Sequence, residues 1–191
     1  MSLKDKIVLA LIGGPGAGKG TISNSIKRDY DVGYMCAGDL LRKAAQEDTP
    51  FGHKLAEQLK NGEIVAQEVT IGLLKKEIES QHKQFYIIDG FPRATEQAET
   101  FEREIVPFKA AIFVSVPDEI LIQRVLKRGE TSGRSDDNEE SAKKRIHTFH
   151  SICEPVNHYF GDRCITVDGN AGPPDVVYEQ VKKVLAKILD Q

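Results

Sequence analysis

The sequence predicts an α/β fold, a five-stranded parallel sheet flanked by helices, and three observations predict it. Short apolar runs alternate with amphipathic helical stretches along most of the 191 residues, the pattern of parallel strands joined by crossover helices. The first run, Ile7-Val8-Leu9-Ala10-Leu11-Ile12, opens directly into Gly13-Gly14-Pro15-Gly16-Ala17-Gly18-Lys19-Gly20-Thr21. A later run, Phe85-Tyr86-Ile87-Ile88, ends in Asp89.

The first element is a buried strand over residues 7–12. The glycine loop that follows has the composition of a phosphate cradle: glycines let successive N–H groups turn inward, and the helix beginning near Ile22 adds its dipole. Lys19 supplies a flexible point charge for outer phosphates. A short second strand is expected near Tyr34–Cys36. Residues 38–80 then hold two or three helices with no strand, broken at Thr49-Pro50 and Asn61-Gly62; this is too much helix for one crossover and predicts a helical flap. The remaining strands are predicted at residues 85–88, 110–116 and 164–167. Residues 129–137, Gly-Glu-Thr-Ser-Gly-Arg-Ser-Asp-Asp, are polar and lack an apolar anchor, which predicts a mobile surface loop between two helices. Asp137 and Glu140 stand at capping-box spacing, so the next helix is expected to start there.

In such sheets ligands gather at the carboxyl ends of the strands. The glycine loop, Gly38-Asp39, Asp89-Gly90-Phe91-Pro92-Arg93 and Val114-Ser115-Val116 are all expected at that edge. Four apolar residues followed by Asp89 form the pattern of a strand-terminal carboxylate that organises Mg²⁺ beside a phosphate loop. Arg42, Arg93, Arg124, Arg128, Arg134 and Arg145 each fall in or after a segment bordering the same edge. Arg124 and Arg128, four apart, share a helix face. Planar cations in that number suit transfer between two polyanions better than hydrolysis of one nucleotide.

Composition excludes several classes. With 40% hydrophobic and 29% charged residues the chain is soluble and globular. A net charge of −3 argues against a nucleic-acid binder. No run could span a membrane or act as a signal segment. Cys36, Cys153 and Cys164 give neither metal spacing nor a disulfide framework, which points to a reducing, cytoplasmic setting, with the nucleus also compatible. Cys153 reads as packing, and His147 and His150, three apart, as surface residues.

The assembled motifs resemble the nucleoside monophosphate kinase family across essentially the whole chain. They are Gly-Gly-Pro-Gly-Ala-Gly-Lys-Gly-Thr at 13–21, Ala-Gly-Asp-Leu-Leu-Arg at 37–42, Gly-Glu-Ile-Val at 62–65, Asp-Gly-Phe-Pro-Arg at 89–93 with Gln97, and Gly-Glu-Thr-Ser-Gly-Arg-Ser-Asp-Asp-Asn at 129–138. The resemblance implies one kinase domain over 1–191, with a monophosphate-binding flap at 36–65 and a short lid at 129–137. It implies transfer of the γ-phosphoryl of ATP to a nucleoside monophosphate with Mg²⁺, by a monomer whose partners are nucleotides. Carried over by position, Gly14, Pro15, Gly16, Ala17, Gly18, Lys19, Gly20 and Thr21 hold the ATP phosphates, and Ala171 and Gly172 pass beside the donor base. Arg42 and Arg93 hold the acceptor's phosphate. Ala37, Glu63, Ile64, Val65, Gly90, Phe91 and Gln97 complete the acceptor side. Arg124, Arg128, Arg134 and Arg145 surround the transferring group, with Arg128 also on ATP and Arg134 and Arg145 also on the acceptor. Asp89 orients a water on Mg²⁺.

Ala37, where adenylate kinases usually carry Thr, resembles the UMP-CMP kinases. So do Ser135-Asp136-Asp137 after Arg134 and the stretch from Ile64-Val65 through Val69-Thr70-Ile71. Gln97 resembles adenylate kinases instead. The expected acceptor is UMP or CMP, with dCMP admitted and AMP as the alternative. A different class, a nucleotide-binding switch such as a small GTPase, would carry Asn-Lys-x-Asp or Thr-Lys-x-Asp and Asp-x-x-Gly; neither string occurs.

Overall fold

Five parallel strands form one sheet in the order β2-β3-β1-β4-β5. They are β1 Ile7–Gly13, β2 Val32–Cys36, β3 Phe85–Asp89, β4 Phe108–Ser115 and β5 Cys164–Asp168. The computed structural model describes residues 3–61 and 63–189, so Gly62 of the Gly-Glu-Ile-Val motif lies outside the described residues. The chain leaves β1 for β2 and β3 on one side and later returns to β4 on the other. The carboxyl end of β1 is therefore the point where strand order reverses, which is where a crevice opens in such sheets.

β1 is central and buried on both faces, and its side chains divide by the strand period of two. Leu9 and Leu11 pack with Ile22 and Ile26 of α1 (Lys19–Asp29) and with Val181 and Leu185 of α9 (Pro174–Leu189). Val8, Ala10 and Ile12 pack on the other face, in the cluster that holds Leu74 and Ile78 of α4 (Gln67–Gln81) and Phe101 of α5 (Thr95–Glu104). Phe101 stacks on Phe108 with ring centroids 4.6 Å apart.

Between β2 and β3 come three helices: α2 (Ala37–Ala44), α3 (Pro50–Lys60) and α4. Leu41, Ala44, Leu55 and Val65 form a small core of their own there, with Leu59, Val69 and Leu73 against it. α3 starts where the sequence breaks: Pro50 takes the first helical position and the Thr49 hydroxyl accepts from the Gly52 amide at 2.9 Å. Leu55 is fully buried in this cluster, so Leu55→Ala would cost about 2–5 kcal/mol and loosen α3 from α2 and α4.

The segment after β4 corrects two expectations. α6 runs from Asp118 to Ser132, so residues 129–132 are its last turn and the loop begins only at Gly133, whose φ of 65° ends the helix. The loop is anchored by polar burial: Asp136 and Asp137 are both buried. The cap of α7 (Glu139–Thr148) is Asn138, whose side chain accepts from the Ser141 amide at 2.9 Å. Asp137 turns back toward α6, for a reason given below. A π-helical turn, Phe149–Cys153, and the short α8 (Val156–Phe160) lead to β5. Among the described residues no helix is long and apolar enough to cross a membrane.

Candidate active site

The glycine loop bends over the carboxyl end of β1. Gly13 has a φ of 154°, and a Cβ there would lie 2.7 Å from the Val114 carbonyl, so only glycine lets β1 turn this close to β4. Gly18, with a φ of 92°, precedes α1 and has no side chain to cap it. The first-turn amides of α1 are thus left for an anion. Lys19 folds back beneath the loop and donates to the carbonyls of Gly13 at 2.9 Å and Gly14 at 3.0 Å. Burial pulls the Lys19 ammonium below the ordinary lysine range, and the nearby Asp89 carboxylate works against that pull.

Asp89 ends β3 directly beside Leu11 of β1 and Cys36 of β2. It is only 4% exposed. Burial pushes its carboxyl upward, opposed first by Lys19 and then by the Tyr34 hydroxyl, which donates to Oδ2 at 2.9 Å. Tyr34 comes from β2, and burial followed by the charge of Asp89 raises its own phenol far above the usual range.

A cleft of about 1230 Å³, counting the part open to solvent, lies in front of these groups. Its lining brings together Pro15, Gly16, Ala17, Gly18, Lys19, Gly20, Thr21, Arg42, Ile64, Asp89, Gly90, Arg93, Arg134 and Arg145. The arginines enter from four elements. Arg93 donates from Nε to the Gly90 carbonyl at 3.0 Å. Arg42 on α2 and Arg134 in the loop after α6 share one carboxylate, Asp39, at 2.6 and 3.1 Å. Arg145 on α7 lies 2.9 Å from Asp136 and also donates to its backbone carbonyl. Burial draws Arg145 below the usual arginine range, with Asp136 opposing; a guanidinium stays charged regardless.

Other candidate residues lie elsewhere. Arg124 is not among the cleft arginines: Nη1 and Nη2 donate to the Gly169 carbonyl at 3.2 Å. It lines a second hollow with Gly172, Pro174 and Val177, which shares Ala17, Gly18 and Thr21 with the cleft. Arg128 is off the cleft wall, engaged with Asp137. Ala37, Val65 and Phe91 are buried in the cores. Gln97 is buried, and its carbonyl accepts from the Arg93 amide at 2.8 Å. Glu63 and Ala171 are exposed and border neither hollow. Gly14 contributes its carbonyl to Lys19 rather than a surface to the cleft.

A family model described as adenylate kinase matches residues 11–165. The uridylate kinase of Saccharomyces cerevisiae is 45% identical over 157 residues, 80% of this chain and 77% of that protein. The uridylate kinase of Schizosaccharomyces pombe is 39% identical over 189 residues, covering 95% and 98% of the two chains. The adenylate kinase isoenzyme 1 of Gallus gallus is 37% identical over 189 residues, 97% of each. The chain belongs to the adenylate kinase family. It is a nucleoside monophosphate kinase, a phosphotransferase that works with ATP.

Several walls of this kinase's cleft escape a reading by motif: Tyr34, Cys36, Thr148, Phe149, Cys153 and Asn157 all line it. One signal is in the sequence: Arg145, Phe149 and Cys153 are spaced by four, which puts them on one side of a helix, and Arg145 is a candidate by motif. Tyr34 carries no comparable signal, because its partner Asp89 is 55 residues away. Chemically, the kinase offers a rigid backbone cradle, one cation beneath it and a ring of guanidiniums around it. Such a site can gather phosphate oxygens from two directions and stabilise charge that spreads during transfer.

Proposed function

We propose that this kinase transfers the γ-phosphoryl of ATP to a pyrimidine nucleoside monophosphate, UMP or CMP with dCMP admitted, giving ADP and the diphosphate. The observation that carries the acceptor is Ala37. α2 begins there with a buried methyl group, between the cleft residues Cys36 and Gly38, at the position where adenylate kinases usually carry Thr. The higher identity to the two uridylate kinases than to the chicken adenylate kinase supports the same reading. Adenylate kinase activity is the second reading, favoured by Gln97 and by relatives of that name that match over 94–97% of the chain.

In this reading the glycine loop and Lys19 bind the ATP phosphates, and Arg42 and Arg93 bind the acceptor's phosphate. Residues 36–65 act as a flap over the acceptor, and the turn after α6 acts as a lid that carries Arg134 in and excludes water. Arg145 completes the charge around the transferring group, and Arg128 contributes by holding the lid. Arg124 belongs to the donor-base side, with Gly172. Mg²⁺ suits the donor set. Among the described residues no three His, Cys, Asp or Glu side chains converge, and Mg²⁺ prefers to keep waters and substrate phosphates beside one or two carboxylates. Asp89 would hold it through water, and the ion would neutralise phosphate charge. A monomer with no nucleic-acid or membrane partner, in the cytoplasm, completes the proposal. Calorimetric titration with CMP, UMP and AMP tests the acceptor: the pyrimidine nucleotides bind more tightly, and preferential AMP binding would favour the second reading.

A further inference from the structure

The turn after β5 is pinned from three sides. Gly169 sends its amide back to the Ser115 carbonyl of β4 at 2.8 Å. Asp168, one residue earlier, therefore presents its own N–H and C=O away from β4, outward from the edge strand of the sheet. Gln180 of α9 takes both: its Oε1 accepts from the Asp168 amide at 3.0 Å and its Nε2 donates to the Asp168 carbonyl at 3.1 Å. The Asp168 carboxylate in turn accepts from the Asn170 amide at 2.8 Å, and Arg124 of α6 donates to the Gly169 carbonyl at 3.2 Å. A Cβ on Gly169 would lie 2.6 Å from the side chains of Val114 and Val116 and 3.3 Å from the Ala17 carbonyl, so the turn runs directly against the glycine loop. Just beyond it Gly172, Pro174 and Val177 form a wall of the second hollow, and Gln180 follows Val177 by three residues on the same face of α9.

We propose that Gln180 is a positioning residue for the donor base: by holding both backbone groups of Asp168 it sets the path of residues 169–172 along the second hollow, and so acts on the base of ATP and not on its phosphates. The proposal rests on the reading above in which that hollow is the donor-base side. A plain packing role does not account for the two bonds. α9 is docked by its apolar face: Val177, Val181 and Leu185 are buried in the cluster that also holds Val167 of β5 and Leu9 of β1, and that burial outweighs two hydrogen bonds at an exposed residue. Apolar burial has no direction, however, and cannot fix the last residue of an edge strand. The side-chain amide does, because one end must donate and the other accept. It acts at the residue from which the turn departs. The phosphates, in the same reading, are met by the glycine loop and Lys19, with which Gln180 shares no hydrogen bond among the described residues.

Gln180→Leu removes both bonds and keeps a good helix former of similar size in α9. Asp168 is exposed, so its freed backbone groups turn to water and the variant melts close to the parent. The test compares two ligands by calorimetry: ATP, and inorganic tripolyphosphate, which carries the phosphates without a base. In Gln180→Leu the ATP affinity falls about two- to twelvefold, the scale of one net hydrogen bond, while tripolyphosphate binds as it does to the parent. The KM for ATP rises by the same factor, and the KM for the acceptor stays put. Unchanged ATP binding, or an equal loss for ATP and tripolyphosphate, overturns the proposal. Arg124→Ala is the separate check on the underlying reading, because it too should weaken ATP and spare tripolyphosphate. If it weakens neither, or both alike, the second hollow does not take the donor base and both ideas fall, whatever Gln180→Leu does.

Discussion

Arg128 grips Asp137 through two parallel hydrogen bonds, Nε to Oδ2 at 2.7 Å and Nη2 to Oδ1 at 2.6 Å, and the Asp137 side chain has no exposed surface. The Ser132 hydroxyl donates to the same carboxylate at 2.9 Å. The last turn of α6 and the start of the turn to α7 are thereby fastened to each other on either side of Arg134. Burial alone would raise the Asp137 carboxyl, but Arg128 and Ser132 win and hold it below its usual range.

Removing Arg128 leaves the buried Asp137 carboxylate only the Ser132 hydroxyl and, at 3.5 Å, Arg145 among the described residues. Arg128→Met should lower stability by about 3 kcal/mol, which for a chain of this size is roughly a 6–12 °C fall in melting temperature. Asp137→Asn should cost less, because no buried charge is stranded. A depressed folded pKa means the Asp137 contribution is fully present above its unfolded value near 4 and is lost as pH falls below that. The stability gap between parent and Asp137→Asn should therefore close in acid. Equal melting temperatures for parent and Arg128→Met at neutral pH would show that the pair is incidental.

His150 has the opposite sign. Its Nε2 lies 2.8 Å from Asp118 of α6 and its Nδ1 2.8 Å from Glu154, and these two carboxylates, Glu154 first, raise its pKa. Both bonds require the doubly protonated ring. The stabilisation is complete below the unfolded value near 6.5 and fades as pH rises through the higher folded value. An exposed pair of this kind is worth less than about 1 kcal/mol. His150→Gln should flatten the decline of melting temperature between mildly acid and mildly alkaline pH, and an unaltered slope would assign that decline to other groups.

Much of this was legible in the chain. The five strands follow from apolar runs of strand length, and the ligand-binding edge follows from where the glycine loop and Asp89 interrupt two of those runs. What was not legible depends on partners distant in sequence. Asp137 shows a capping-box spacing, yet Arg128 and Ser132 compete for it and Asn138 takes the cap. Residues 129–137 look unanchored because their anchor is a buried ion pair, which hydrophobic pattern cannot report. Arg124 shares a helix face with Arg128, but the loop after β5 reaches its guanidinium first, through the Gly169 carbonyl.

That last placement has a kinetic signature. Arg124→Ala removes both hydrogen bonds to Gly169 and loosens the backbone beside the second hollow. The KM for ATP should rise roughly 2- to 12-fold, the scale of one net hydrogen bond, while the KM for the acceptor stays put. A change confined to the acceptor's KM would return Arg124 to the phosphoryl side.

In the proposed phosphate cradle Lys19 is the cation, and among the described residues its ammonium bonds to the loop carbonyls of Gly13 and Gly14, which a ligand can replace. Lys19→Met should melt close to the parent and transfer phosphoryl roughly 100- to 1,000-fold more slowly, the scale of losing one preorganised electrostatic contact. A folded variant with near-normal turnover would contradict the role given to the loop.

The acceptor preference is tested most directly by kcat/KM for CMP, UMP and AMP with ATP held saturating. The missing hydroxyl at Ala37 is worth about 0.5–1.5 kcal/mol, or roughly 2- to 12-fold, so AMP should be the weaker acceptor by that margin without being excluded. Ala37→Thr should narrow the gap. A preference for AMP over both pyrimidine nucleotides of about tenfold, equal to about 1.4 kcal/mol, would contradict the pyrimidine assignment and make the chain an adenylate kinase in its own right.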